Sequence, residues 1–114
     1  MKIDNMTNQV IVQNFLRIIM DIVAENTSNK YGLLVVDEIK NKLRNKFKFS
    51  QNITISNNSI KVDKKLNYVD KKELKSFFSE IINLAGADYV RNLLAKRLSQ
   101  NQINYLQYIG LKLY

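Results

Sequence analysis

The residues best suited to bind a ligand in this chain are cationic, and they are concentrated in about a third of it. Residues 39–75 contain eleven basic and three acidic residues, a net charge of +8, whereas the rest of the 114-residue chain has seven of each. Such a concentration of like charge attracts polyanions and accelerates their encounter with the protein. The candidate anion-binding residues are Lys40, Lys42, Arg44, Lys46, Lys48, Lys61, Lys64, Lys65, Lys71 and Lys72.

The kind of cation limits what this basic segment can recognise. Lysine outnumbers arginine fourteen to four, and arginine is the residue that supplies planar, bidentate contacts to base edges. If the partner is nucleic acid, we expect contacts to phosphates and little sequence specificity. Phe47, Phe49 and Tyr68 alternate with lysines and could stack on bases. Because aromatic residues at the ends of elements are more often buried, we interpret these three as core residues.

No pattern in the sequence predicts catalysis. The chain has no histidine and no cysteine, which removes the commonest general base and metal ligand together with thiolate chemistry and disulfides. Two pairs of carboxylates remain, Asp37 with Glu38 and Asp70 with Glu73. Neighbouring side chains on a helix point apart, which separates the first pair, and helix capping explains the second. We therefore expect no enzymatic activity, no metal site, no cofactor and no small-molecule substrate.

The elements that position the basic residues are predicted to be mainly helical, beginning with one unusual helix. Residues 1–7 are expected to be loose, and residues 8–25 form the first helix. Apolar side chains cover far more of this helix than the roughly 100° stripe of a surface helix. It therefore lies at the centre of the fold or is buried in an oligomer. If Phe15, Ile19 and Ile22 are exposed on the monomer, we expect a homodimer or higher homo-oligomer, because monomers rarely expose large apolar patches.

A second helix is predicted over residues 31–46. Apolar residues recur at helical spacing between Val35 and Phe47. If the helix continues far enough, Lys40, Arg44 and Lys48 share one of its faces, because residues four apart are neighbours on a helix. Their mutual repulsion would be relieved by an anionic partner.

A β-hairpin is predicted after this helix, over residues 53–62. Apolar and polar residues alternate on both sides of an Asn-Asn turn at residues 57–58. A two-stranded hairpin is marginal alone, so it must pack on the helices. A basic hairpin after a helix is also the order found in winged-helix proteins, but the three helices that usually begin that fold are missing.

Three further helices are predicted in the C-terminal half. The first begins with Asp at its cap and Glu three residues later, an arrangement that satisfies free backbone N–H groups. Glycine, which readily adopts left-handed conformations, is expected to end the first and the last of the three. The residues that mark these boundaries are Asp70 and Glu73, Gly86, Asp88, Ser99 or Asn101, and Gly110.

Residues 94–103 offer weak support for a DNA-binding alternative. Their sequence, LAKRLSQNQI, is similar to the first helix and turn of a helix-turn-helix domain. The turn glycine is absent, and the second helix would carry residues that belong in a core. Two packed helices are the favoured explanation of the pattern.

These elements predict an α+β fold that is mostly α, with about five helices and one hairpin on a single core over residues 1–114. No signal peptide and no apolar run of about 20 residues is evident, so we expect a cytoplasmic protein without a transmembrane segment. The leading hypothesis is a non-enzymatic interaction or regulatory module that self-associates through helix 8–25 and presents residues 39–75 to an acidic protein. The alternative is a non-sequence-specific DNA- or RNA-binding protein that uses the same segment. A Lys- and Asn-rich composition can also arise from an AT-rich genome, in which case the charge serves solubility.

Overall fold

The computed structural model describes residues 6–56 and 59–113, and within them the chain forms five α-helices and one β-hairpin. The helices are α1 (Asn8–Glu25), α2 (Asn29–Leu43), α3 (Lys71–Ala85), α4 (Ala87–Arg97) and α5 (Gln100–Tyr108). The hairpin consists of β1 (Ile53–Ser56) and β2 (Ser59–Val62). A first 3₁₀ helix (Lys48–Asn52) precedes it and a second 3₁₀ helix (Lys64–Tyr68) follows it. The predicted mostly helical α+β fold is confirmed.

α1 packs its wide apolar face into the centre of the hydrophobic core and exposes mainly a narrow polar side that includes Arg17 and Asp21. It is surrounded by α2, α4, β2 and the second 3₁₀ helix. Phe15 stacks against Phe78 of α3 with 4.2 Å between ring centroids, and the exposed fractions of Phe15, Ile19 and Ile22 are 0%, 0% and 4%. These side chains offer no surface to a second copy. The predicted self-association through them is therefore wrong, because the chain's own elements fill the wide apolar face of α1.

α1 and α2 approach each other closely at Gly32. A Cβ atom added to this glycine would lie 2.6 Å from the Met20 carbonyl oxygen and 3.2 Å from the Ala24 Cβ. The first distance is shorter than Cβ atoms show in proteins, and the second is tighter than most Cβ contacts. Glycine in a helix costs roughly 0.5–1 kcal/mol relative to alanine. At this position the missing side chain allows the backbones of α1 and α2 to pack in contact.

α2 begins and ends earlier than the predicted range 31–46. The Ser28 hydroxyl caps the helix by accepting a hydrogen bond from a backbone N–H in the first turn. The helix ends before Arg44, and Lys48 already belongs to the first 3₁₀ helix. The condition under which Lys40, Arg44 and Lys48 would share one helical face is therefore not met.

The hairpin packs one face on the helices and turns the other to solvent. Ile60 and Val62 of β2 are buried, whereas Lys61 between them is exposed opposite Thr54 of β1. This alternation is the period-two pattern expected of a half-buried strand. The predicted turn residues 57–58 lie outside the described residues.

The prediction that residues 1–7 are loose is wrong for the last two of them. Residues 1–5 lie outside the described part of the chain. Met6 packs against the core, and the Thr7 hydroxyl caps α1 by accepting a hydrogen bond from the Val10 N–H at 3.3 Å. Met6 and Thr7 are therefore part of the folded domain.

Side-chain caps begin α3 and α5 at the predicted residues. Asp70 accepts a hydrogen bond from the backbone N–H of Lys72 at 3.1 Å. Ser99 and Gln102 form a reciprocal capping box at the start of α5, which decides between the two predicted caps of that helix. Local hydrogen bonds of this kind depend on neighbouring residues alone, which is why the sequence indicates them.

The junction between α3 and α4 differs from the prediction. Gly86 ends α3 with φ of +140°, as predicted, but α4 begins directly afterwards at Ala87. Asp88 is not the cap and lies in the first turn of α4, where it pairs with Arg91 at 3.1 Å. The glycine allows the chain to change direction without a separate capping residue.

We expect Asp70→Ala to lower the free energy of unfolding by about 1 kcal/mol, because the mutation leaves the first N–H groups of α3 without their side-chain acceptor. Asp70→Asn retains an acceptor oxygen and is the matched control. Thermal melts followed by circular dichroism would measure the loss. An alanine variant with the wild-type midpoint would show that the cap contributes nothing.

Candidate functional site

The ten candidate anion-binding residues are distributed over neighbouring elements. The half-buried Lys40 is the exception in a set that is otherwise exposed. The two 3₁₀ helices contact each other, which brings Lys48 into the neighbourhood of Lys64 and Lys65. The set comprises Lys40 and Lys42 on α2, Arg44 and Lys46 in the turn after it, Lys48 on the first 3₁₀ helix, Lys61 on β2, Lys64 and Lys65 on the second 3₁₀ helix, and Lys71 and Lys72 on α3.

Carboxylates near the basic segment neutralise little of its charge. Glu80 of α3 lies 2.5 Å from the Lys46 Nζ, and among the described residues this is the one ion pair that involves the candidate set. Asp63 and Asp70 accept hydrogen bonds from backbone N–H groups at the start of the second 3₁₀ helix and of α3. The acids of the segment therefore serve mainly as caps, and most of its exposed ammonium groups form no ion pair with a described residue.

Tyr68 is the most exposed large hydrophobic side chain in the described part of the chain, at 89%. It ends the second 3₁₀ helix, which also carries Lys64 and Lys65. Lys71 and Lys72 follow at the start of α3 and are exposed. An aromatic ring displayed among lysines can stack on a base while the lysines contact phosphates.

The interpretation of the three segment aromatics as core residues is confirmed for one and wrong for another. Phe47 is 3% exposed and packs edge-on against Phe77, with 5.4 Å between centroids. Phe49 is half-buried against the same ring at 4.9 Å. Tyr68 points outward, because the second 3₁₀ helix buries Leu66 on its inner side.

A buried amide holds the second 3₁₀ helix in place. The Asn8 Nδ2 donates hydrogen bonds to the carbonyl oxygens of Leu66 at 3.0 Å and Val69 at 3.1 Å. The Asn8 Oδ1 accepts a hydrogen bond from the Tyr105 hydroxyl. Burial raises the pKa of this hydroxyl, with a smaller contribution from Tyr108, which further favours the protonated, donating form. One side chain thus links the start of α1, the second 3₁₀ helix and α5.

Gln9, the next residue of α1, also forms hydrogen bonds to this region. Its backbone N–H donates to the Asn67 Oδ1 at 2.8 Å, and its Nε2 donates to the Val62 carbonyl at 2.9 Å. Hydrogen bonds from Asn8 and Gln9 of α1 therefore hold the segment that carries Tyr68. Binding groups carried by a fixed backbone lose less conformational freedom on binding.

A second aromatic residue lies beside the same lysines. The Lys71 ammonium is 4.4 Å from the centroid of the Tyr108 ring, a distance at which cation–π attraction operates. Tyr108 is 67% exposed. The end of α5 therefore extends the aromatic and basic surface beyond Tyr68.

An open groove of about 750 Å³ lies between the first half of α2 and the end of β1. Tyr31 and Leu34 are 48% and 59% exposed there. The sequence does carry a signal for it, because these two residues fall outside the buried stripe of α2, yet the groove was not predicted. The residues that line it include Lys30, Tyr31, Leu33, Leu34, Asp37 and Ile55.

Arg97 is the one arginine in the segment that resembles a helix-turn-helix, and it forms an ion pair within the protein. Its guanidinium contacts the Glu25 carboxylate of α1 at 2.6 and 2.7 Å. The hydrogen bond from Arg97 lowers the pKa of the Glu25 carboxyl. Ile103 and Leu106 of α5 are buried in the core. This arrangement favours two packed helices over a DNA reader.

Comparison with known proteins gives this chain no relative. No family model, no curated protein and no solved structure matches it. Within residues 6–56 and 59–113, no helix is long and apolar enough to cross a membrane, and no group of three or more side chains could hold a metal ion.

Proposed function

We propose that this protein is a non-enzymatic binding module that binds single-stranded nucleic acid through the Tyr68 surface. This surface consists of Tyr68 with Lys64, Lys65, Lys71 and Lys72. The observation that carries the proposal is the 89% exposure of Tyr68 on a 3₁₀ helix that α1 holds in place. A large apolar ring exposed to this degree stabilises nothing in the core.

Charge supplies the first part of the proposed interaction. The basic segment carries the whole net charge of +8, and the lysines of the Tyr68 surface form no ion pair with a described residue. Binding to phosphates releases condensed counterions, so each contact adds affinity that decreases with salt. Lysine contacts of this type do not distinguish sequences.

Stacking on Tyr68 is the second part of the proposed interaction, and it distinguishes single-stranded nucleic acid from other polyanions. Base–aromatic stacking is worth about 1–3 kcal/mol per base and tolerates any sequence. The bases of a duplex are already stacked and are not available to Tyr68. An acidic protein surface, the partner of the leading sequence hypothesis, would use the lysines but gain little from the ring. We therefore place nucleic acid ahead of an acidic protein.

The proposal is tested by Tyr68→Ala in an anisotropy titration with a single-stranded oligonucleotide. We expect affinity to fall roughly ten-fold or more, because one base no longer stacks on the protein. Tyr68→Phe keeps the ring and is the matched control, with near wild-type affinity. Lys64→Gln together with Lys65→Gln should reduce the slope of log affinity against log salt by about 0.7 for each lysine that binds a phosphate in the wild type.

A lysine outside the Tyr68 surface provides the second control. Lys96→Gln, on the exposed side of α4, should leave both affinity and salt slope unchanged. Failure to bind any strand at about 50 mM salt would contradict the proposal and leave the acidic protein as the candidate partner. Binding of duplex in preference to single strands, with Tyr68→Ala unaffected, would reject stacking.

A further inference from the structure

We propose that the groove between α2 and β1 docks a second copy of this chain, so that two copies pair about a two-fold axis. The apolar part of the groove is formed by Tyr31, Leu33 and Leu34 on α2 and by Ile55 on β1. At 59%, Leu34 is the most exposed large aliphatic side chain in the described part of the chain. Grouped exposed apolar side chains of this kind mark interaction sites.

The edge of β1 beside the groove has free backbone groups. The Asp63 N–H donates to the Asn52 carbonyl at 2.9 Å, which makes these residues a hydrogen-bonded pair next to the strands. Such pairs alternate along an antiparallel ladder, so Thr54 bonds to Lys61 and the N–H and C=O of Ile55 point away from β2. Within the described residues neither group of Ile55 has a backbone partner.

An unpaired donor and acceptor on one residue is self-complementary. Two copies of β1 placed antiparallel at Ile55 would exchange both hydrogen bonds and join the two hairpins into one antiparallel sheet. A closed dimer brings the same patch of both subunits together, and in the proposed dimer the two-fold axis runs perpendicular to α2, so that α2 lies antiparallel to its copy. The apolar side chains of the two grooves then cover one another.

The charges at the ends of the groove fit this arrangement. Lys30 and Asp37 line the groove and lie two helical turns apart, with Leu33 and Leu34 between them on the same side of α2. In an antiparallel pair, Lys30 of each copy faces Asp37 of the other. The groove is therefore neutral and self-complementary, although the chain as a whole carries +8. The occupant expected from this pattern is the chain itself.

The test exchanges one charge at a time and measures mass by light scattering at near-physiological ionic strength. The wild type should have twice its 13.3 kDa monomer mass at high micromolar concentration. Lys30→Asp and Asp37→Lys each create two like-charged pairs across the axis, and like-charge contacts cost several kcal/mol. Each variant alone should therefore dissociate at least ten-fold more readily. An equimolar mixture of the two should form a heterodimer, because opposite charges then face each other.

Matched controls keep the charge change but move it out of the groove. Glu38→Lys alters the next, exposed residue of α2, and Lys96→Asp alters α4; both should dimerise as the wild type does. Leu34→Glu tests the same contact at an exposed position that the fold does not need, and it should be monomeric with a wild-type circular dichroism spectrum.

Three results would overturn this dimer. The first is a monomeric wild type at high micromolar concentration. The second is a dimer that persists in Leu34→Glu and in both charge variants. The third is a mixture of Lys30→Asp and Asp37→Lys that stays monomeric. None of them affects nucleic-acid binding by the Tyr68 surface, which shares no residue with the groove and is measured separately.

Discussion

We expect Asn8→Asp to lower the free energy of unfolding at neutral pH by roughly 3–5 kcal/mol, the penalty for an unpaired charge in a buried site. The substitution changes neither size nor shape, so it creates no cavity. It replaces the Asn8 Nδ2, which donates to the carbonyl oxygens of Leu66 and Val69, with a second acceptor. One carboxylate oxygen would keep the hydrogen bond from the Tyr105 hydroxyl, but the other would face two carbonyl oxygens at about 3 Å with no donor to compensate for the lost water.

The pH dependence of this variant identifies the cause. Burial and the two carbonyl oxygens favour the protonated acid, so folding raises the pKa of the introduced carboxyl above its unfolded value. A group with a raised pKa contributes stability that is present below its unfolded pKa and is lost as pH rises through its folded pKa. Relative to wild type, Asn8→Asp should therefore be least destabilised in acid and most destabilised near neutral pH.

Urea denaturation of wild type, Asn8→Asp and Asn8→Ala at acidic and neutral pH would measure this difference. Asn8→Ala loses the same hydrogen bonds without adding a charge, so its loss should not depend on pH over that range. A loss in Asn8→Asp that is equal at both pH values would mean that water reaches the carboxylate and that the site is not closed.

We expect Gly32→Ala to lower the free energy of unfolding by about 1–3 kcal/mol, as in other overpacked sites. A loss of stability would be informative, because alanine is the better helix former by roughly 1 kcal/mol at an open helix position. Helix propensity alone would therefore make this substitution stabilising. At Gly32 the added methyl group would meet the Met20 carbonyl at 2.6 Å. Relief of this contact requires α1 and α2 to move apart along the length of their interface.

A control on the same helix separates packing from helix propensity. Asn41 is exposed on α2, and Asn41→Ala should stabilise the protein slightly through propensity alone. Chemical denaturation of both variants gives the comparison. A stabilised Gly32→Ala would show that the two helices can separate without cost.

Local sequence signals made much of the fold predictable. Features that depend on contacts between residues distant in sequence could not be predicted. Asp70 and Ser99 cap helices through neighbours that the sequence displays, so those boundaries were correct. The end of α2 was misplaced, because its apolar spacing continues to Phe47 although the helix stops earlier. The importance of Gly32 depends on the carbonyl of Met20 in another helix, and no local pattern reports it.

The candidate site was predictable in charge but not in shape. The count of lysines identified residues 39–75 as basic, and the structure exposes nearly all of those side chains. The exposure of Tyr68 was missed, because it depends on Asn8, which bonds to residues 58 and 61 positions further along the chain. The width of the apolar face of α1 was judged correctly. Its partner was not, because the pattern of one helix does not tell whether its own chain or a second copy covers it.

The link between Asn8 and Tyr105 spans 97 positions of sequence, and this has a consequence for the newborn chain. α1 is synthesised well before α4, which packs on it, and before α5, whose Tyr105 bonds to Asn8. At about 5–20 residues per second, a ribosome needs roughly 5–20 s to add that length of chain. During this interval α2, β2 and the second 3₁₀ helix can already cover part of α1, but the side of α1 that packs on α4 has no intramolecular partner, so the nascent chain exposes apolar surface there until α4 is synthesised.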